Sequence, residues 1–230
     1  MQVHMVHIGK TGGVGLEHIL LSKKDEIKAN GFSLHFHPHK FSLADVTHGK
    51  AVFFVRHPVA RFVSGFNSRL RMGRPARDIP WSEGEKIAFR MFQEPNVLAE
   101  TLDSSDDWHR AAAEFSMLAI QHVKNRFRQW VRNTDFIQKS SNTILYIGTQ
   151  ETYEDDCRAL LRKLGASDQL PDLNAAERHA TPPGFSTHLS DRAVANLTKW
   201  YEKDIEIYEW CRTHRDEINR QPVGPNRTTS

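Results

Sequence analysis

The first place where this chain could do chemistry is a lysine and a threonine set among glycines, His7-Ile8-Gly9-Lys10-Thr11-Gly12-Gly13, followed by Val14 and Gly15. Gly9, Gly12 and Gly13 allow successive backbone N–H groups to converge where a helix begins, which makes a cradle for an anion. Lys10 adds a mobile point charge for phosphate or sulfate oxygens. Gly9-Lys10-Thr11 invites a triphosphate-loop reading, but that loop needs a further glycine five residues earlier, where this chain has His4.

A second basic turn is Val55-Arg56-His57-Pro58-Val59-Ala60-Arg61-Phe62-Val63-Ser64. Arg56 leaves an apolar run, and Ser64 falls about two turns into the helix that follows. A guanidinium and a hydroxyl of this kind can share one phosphate. Arg61 reads as a solvated helix residue. Beyond it, Arg69, Arg71, Arg74 and Arg77 either line a cleft for an anionic acceptor or form a solvated helix end. Arg69 and Arg71 are the candidates for acceptor binding. Arg178-His179 add a further basic pair in a polar stretch.

His35, His37 and His39 stand at every second position, so an extended strand would place all three on one face. A hydroxyl acceptor needs a base that titrates near the working pH, which suits histidine. The same alternation can ligate a metal, but no second cluster of carboxylate or cysteine ligands accompanies it at a suitable spacing. No metal is expected.

The elements that must position these residues alternate. Val3–Ile8 is β-prone and leads through the glycines into a helix carrying Leu16, Ile19, Leu20 and Ile27. Phe32–His37 and Ala51–Val55 are further strands, the latter apolar enough to be buried on both faces. Pro58 opens a helix through Leu70, and Ser82 with Glu85 is a capping box for another through Phe92. The periodicity then predicts one long helix over Asp106–Val131, a strand over Thr143–Ile147 and a helix from Thr152 to near Gly165. One last helix is predicted from Ser190 through Cys211. This order predicts an α/β fold, a three-layer sandwich with a mainly parallel central sheet surrounded by helices. Both basic turns follow strand ends, where such sheets bind ligands.

The chain has 230 residues, which suits a single domain over 1–218 and a polar, disordered tail over 219–230. A net charge of +3, spread along the sequence, argues against nucleic acid and allows anionic ligands. Its 2 cysteines are too few for a disulfide framework and read as reduced thiols. No apolar run reaches the roughly 18 residues of a membrane span, and Met1–Ile8 lacks a leader's apolar core, so the expected compartment is the cytoplasm. Oligomeric state is open.

The first turn resembles the His-x-Pro-Lys-Thr-Gly-Gly-Thr-Ser phosphosulfate loop of carbohydrate sulfotransferases, of the heparan-sulfate type and its bacterial relatives. The second is similar to their Val-Arg-(Asp/Asn)-Pro-x-x-Arg-x-x-Ser motif. His39-Lys40-Phe41-Ser42-Leu43-Ala44-Asp45-Val46 is similar to their Gly-His-x-Phe-x-Leu-x-Asp-Val segment. The resemblance implies a P-loop-NTPase-like fold and 3′-phosphoadenosine-5′-phosphosulfate (PAPS) as sulfuryl donor. It implies a hydroxyl acceptor, a glycan in that family's pattern. Lys10 would meet the 5′-phosphosulfate, with Gly9, Thr11, Gly12, Gly13, Val14 and Gly15 around it, and Arg56 and Ser64 would take the 3′-phosphate. Arg178 would close over the donor. His39 is the implied base and His37 the alternative. Gly9 stands where the family has proline, Val14-Gly15 where it has hydroxyls, and His57 where it has an acid or amide. The rival classes are a nucleoside or sugar kinase and a non-catalytic nucleotide-binding protein.

Overall fold

A computed structural model describes residues 1–172, 182 and 184–223. Its strands are β1 (Gln2–Met5), β2 (Ser33–Phe36), β3 (Lys50–Val55) and β4 (Ile144–Thr149). The helices are α1 (Gly13–Ser22), α2 (Lys24–Ala29), α3 (Pro58–Leu70), α4 (Glu83–Met91), α5 (Pro95–Thr101), α6 (Asp107–Ala119), α7 (Gln121–Lys124), α8 (Arg128–Val131), α9 (Thr134–Lys139), α10 (Tyr153–Lys163), α11 (Asp191–Trp200) and α12 (Glu202–Arg220). The chain divides into two compact units, Met1–Arg56 with Phe127–Arg178 and Glu206–Ser230, and His57–Arg126 with His179–Ile205.

The first unit holds the sheet. All of its strand pairs are parallel, in the order β2-β1-β3-β4, with His4 opposite His35 and Ala51. Alternation along β3 explains the layers. Ala51, Phe53 and Val55 face a core shared with Phe127, Trp130 and Val131 around α8, Ile137 of α9, and Tyr208 and Cys211 of α12. Val52 and Phe54 face the opposite core, built with Leu16 and Ile19 of α1, Ile27 of α2 and Leu160 of α10. A strand buried on both faces must be apolar throughout, as Lys50–Val55 is beyond its first residue. The three-layer α/β expectation is therefore met in this unit. The chain runs from β1 outward to β2, then to β3 on β1's other side. The ends of β1 and β3 thus flank the point where the connections diverge, the ligand-binding place of open parallel sheets.

The second unit is helical. Phe62 and Phe66 of α3, Phe89 of α4, Leu98 of α5, Ala113 and Met117 of α6, Val123 of α7 and Leu197 of α11 share its core. The long helix expected over Asp106–Val131 is instead α6, α7 and α8. Ile120 has an extended ψ of 119°, and the Gln121 N–H turns to the Glu85 carboxylate at 3.0 Å rather than to its own helix. Trp108 of α6 is 78% exposed. The last helix is also two, broken at Tyr201. It extends to Arg220, and Asn219 is held by paired hydrogen bonds with the Ile147 backbone at 2.9 and 3.0 Å. Among the described residues no helix is long and apolar enough to cross a membrane.

Candidate active site

Val6 to Gly12 carries the chain from β1 to α1. Val6 still bonds β3 through its N–H and the Val52 carbonyl, and the turn then tightens. Lys10 lies at φ 69° and Gly12 at φ 89°, both left-handed. Thr11 is buried, and its hydroxyl donates to the Ile8 carbonyl at 2.8 Å, so the turn is closed by its own side chain. What this residue can offer an anion is then its backbone N–H. Gly12 caps α1, whose first turn carries no acidic residue. That leaves the positive end of the helix dipole without a competing carboxylate.

The two glycines at the helix start are required sterically. A Cβ on Gly12 would lie 2.5 Å from the Tyr153 ring and 2.6 Å from the Gln150 side-chain oxygen. One on Gly13 would lie 2.4 Å from the His7 ring. His7 is itself buried, and its ring centroid is 4.1 Å from that of His39. The Trp130 indole N–H donates to the His39 carbonyl at 2.7 Å, and the same indole approaches Gly9. Gly9, Gly13, His7 and His39 therefore form one constellation at the C-terminal end of β1.

The three alternating histidines do not share a face. β2 ends at Phe36, and the chain turns at Pro38, whose carbonyl accepts the Phe41 N–H at 2.9 Å. His35 and His37 stay with the sheet, where His4 of the neighbouring strand stacks between them at 4.9 and 5.2 Å. His37 shares a hydrogen bond with His4 at 2.9 Å and stacks on Phe41 at 3.7 Å. Burial, with the nearby imidazoles, holds both His4 and His37 below the usual histidine range. His39 lies past the turn, exposed, against His7. The segment behind it is fixed by Ser42, whose N–H and hydroxyl both donate to Asp45, at 2.8 and 2.7 Å. Among the described residues no group of three or more histidine, cysteine or acidic side chains could hold a metal ion.

Arg56 follows β3. Burial lowers its guanidinium's affinity for the proton, and the Glu151 carboxylate opposes that effect. Next to it, the β4–α10 turn is locked by buried Asp156. This carboxylate accepts from the Thr149 N–H (2.8 Å), the Thr152 and Tyr146 hydroxyls (2.7 and 3.0 Å) and both Arg215 amino groups (2.9 and 2.8 Å). The Thr152 hydroxyl makes no cap bond to α10 and is used here instead.

In the second unit Ser64 is half-buried on α3. Arg69, a candidate for the acceptor, is buried, and its guanidinium is occupied. It bonds Glu85 through Nε and Nη2 at 2.6 and 2.9 Å, and the Ile79 and Pro80 carbonyls at 3.3 and 3.1 Å. Arg71 donates to the Arg74 carbonyl at 2.6 Å and packs over Phe185. Arg178 and His179 lie outside the described residues.

Across the chain the profile of the sulfotransferase family matches residues 18–210. This chain belongs to the sulfotransferase family. The matched span takes in β2, Arg56 and Ser64, and starts just after the glycine turn. No curated protein and no solved structure matches the chain. In this sulfotransferase the residues that the sequence left without a role are His4, His7, Trp130 and Tyr153. Their tie to the site is strand register and packing. The one sign of it in the sequence was that His7 sits inside the glycine motif.

Proposed function

We propose that this sulfotransferase takes the sulfuryl group from PAPS and passes it to an acceptor hydroxyl, most readily that of a carbohydrate. The observation that carries the reading is the constellation at the end of β1. A glycine turn with Lys10 beside it opens α1, and the His7–His39 pair sits against Gly13. The residues suit the donor's 5′ end: the backbone is left-handed where N–H groups must converge, and no acid stands in the first turn.

In this reading His39 accepts the hydroxyl proton as the acceptor oxygen bonds to sulfur in line with the departing 5′-phosphate oxygen. Lys10 neutralises the charge that builds on that leaving oxygen, and 3′-phosphoadenosine 5′-phosphate (PAP) departs. Exposure supports His39 over His37, because an acceptor must reach the base and the His37 ring is engaged by His4 and Phe41. Arg56 and Ser64 take the 3′-phosphate, a role that rests on their motif and its spacing. The glycan acceptor rests on motif likeness alone. Arg69 has no part in this scheme, since it is buried and its guanidinium is engaged by Glu85 and the Ile79 and Pro80 carbonyls.

Thermal unfolding with PAP tests the reading. PAP without divalent metal raises the melting temperature of the wild type. Lys10→Ala abolishes turnover, and His39→Ala keeps PAP binding while losing transfer. A melting temperature that ATP with Mg²⁺ raises and PAP leaves unchanged would identify a kinase instead. Full activity in His39→Ala would remove the base from that position.

A further inference from the structure

Gly12 is held from outside its own turn. The Tyr153 hydroxyl, on the first residue of α10, donates to the Gly12 carbonyl at 2.9 Å. The Leu16 N–H donates to the same oxygen at 3.0 Å as α1's first helical bond. A carbonyl that accepts twice fixes its whole peptide plane, and polarisation through that plane makes the N–H at its other end a stronger donor. That N–H belongs to Gly13, among the first four of the helix, which have no intrahelical acceptor.

Tyr153 is itself held on several sides. Its ring meets Phe54 edge-on at 5.6 Å and lies against Gly12 so closely that no Cβ fits there. The residues before it belong to the turn that Asp156 and Arg215 lock. Burial keeps the phenol protonated at any working pH, so it acts as a donor.

We propose that Tyr153 is a positioning residue of the donor site, aiming the Gly13 N–H at the 5′-phosphate through the Gly12 peptide. The inference rests on the reading that the glycine turn holds the donor's 5′ end. Within the glycine turn the Tyr153 hydroxyl bonds the Gly12 carbonyl, so its removal must appear selectively in ligands that carry a 5′ anion.

Calorimetric titration of wild type and Tyr153→Phe with PAP and with adenosine 3′-monophosphate makes the test. Loss of one hydrogen bond predicts PAP binding weakened roughly 5- to 10-fold, with the 3′-monophosphate unchanged. Equal weakening of both ligands, or of neither, overturns the proposal, because a merely structural tyrosine would not discriminate between them. A wild type that binds PAP no better than the 3′-monophosphate overturns the 5′-end reading itself, and is seen before any variant is made. Should Tyr153→Phe not fold, 3-fluorotyrosine at position 153 keeps the shape and strengthens the donor. PAP alone should then bind more tightly, and unchanged PAP affinity counts against the proposal.

Discussion

Replacing Glu85 by glutamine separates a structural Arg69 from a substrate-binding one. The side chains of Arg69 and Glu85 are only 4% and 3% exposed, and they meet in a bidentate pair. The carboxylate also accepts from the Ser82 and Gln121 N–H groups, both at 3.0 Å. Burial by itself would push this carboxyl up, but the Arg69 and backbone donors outweigh it and hold the group down from 4.5 to about 2. At about 1.4 kcal/mol for each tenfold change in proton affinity, that corresponds to about 3 kcal/mol at neutral pH. The sign follows from the lowered value. Stabilisation is full above 4.5, the unfolded value, and fades as pH falls toward about 2. About three fifths of it is gone by pH 3.

Glu85→Gln leaves a buried guanidinium without its counter-charge, so a loss of about 3 kcal/mol is expected at pH 7. Urea unfolding of wild type and variant from pH 7 to pH 3 should show the gap closing as the wild type loses the same interaction. A gap below about 1 kcal/mol at pH 7, or one that stays constant with pH, refutes the reasoning. Arg69→Met carries the functional half of the test. It should lower stability and leave the acceptor KM of the surviving folded enzyme unchanged. The opposite result would return Arg69 to the acceptor site.

Two further outcomes follow from packing. Gly13→Ala places a methyl 2.4 Å from the buried His7 ring, so the ring or the helix start must move. We expect about 1–3 kcal/mol of destabilisation and a fall in kcat, read by thermal unfolding and by turnover; unaltered kcat would separate His7 from the reacting centre. The His4–His37 pair, held below the usual histidine range by burial, binds fewer protons folded than unfolded. Its stabilisation is therefore whole above pH 6.5 and is lost as pH falls below it. His4→Phe should flatten the stability profile just below pH 6.5 in urea titrations, and a profile as steep as the wild type's would assign that slope to other groups.

Local chemistry made much of this protein legible in its sequence. Val-Phe-Phe-Val suited a strand buried on both faces, Pro58 suited the first turn of a helix, and Ser82 with Glu85 formed the capping box that their spacing suggests. The glycine turn was legible because positive φ at Gly12 and close approach at Gly12 and Gly13 are backbone needs that glycine meets. Helix breaks were less legible. The apolar phase continues through Ile120, and the break there depends on a carboxylate from Glu85, 36 residues away, capturing one N–H.

By itself, then, the sequence determined the α/β class, the two basic turns and their places at strand ends, since each depends on residues a few positions apart. Only the tertiary structure decided what the side chains there meet. Parallel register put His4 between His35 and His37, and a turn at Pro38 carried His39 away to His7. Glu85, 16 residues from Arg69, claimed a guanidinium that looked available to substrate. Tyr153 reached the Gly12 carbonyl from 141 residues away. The physical reason is common to all three. A hydrogen-bond donor or an imidazole is satisfied by whichever partner the packed chain brings within about 3 Å, and strand order and helix packing choose that partner.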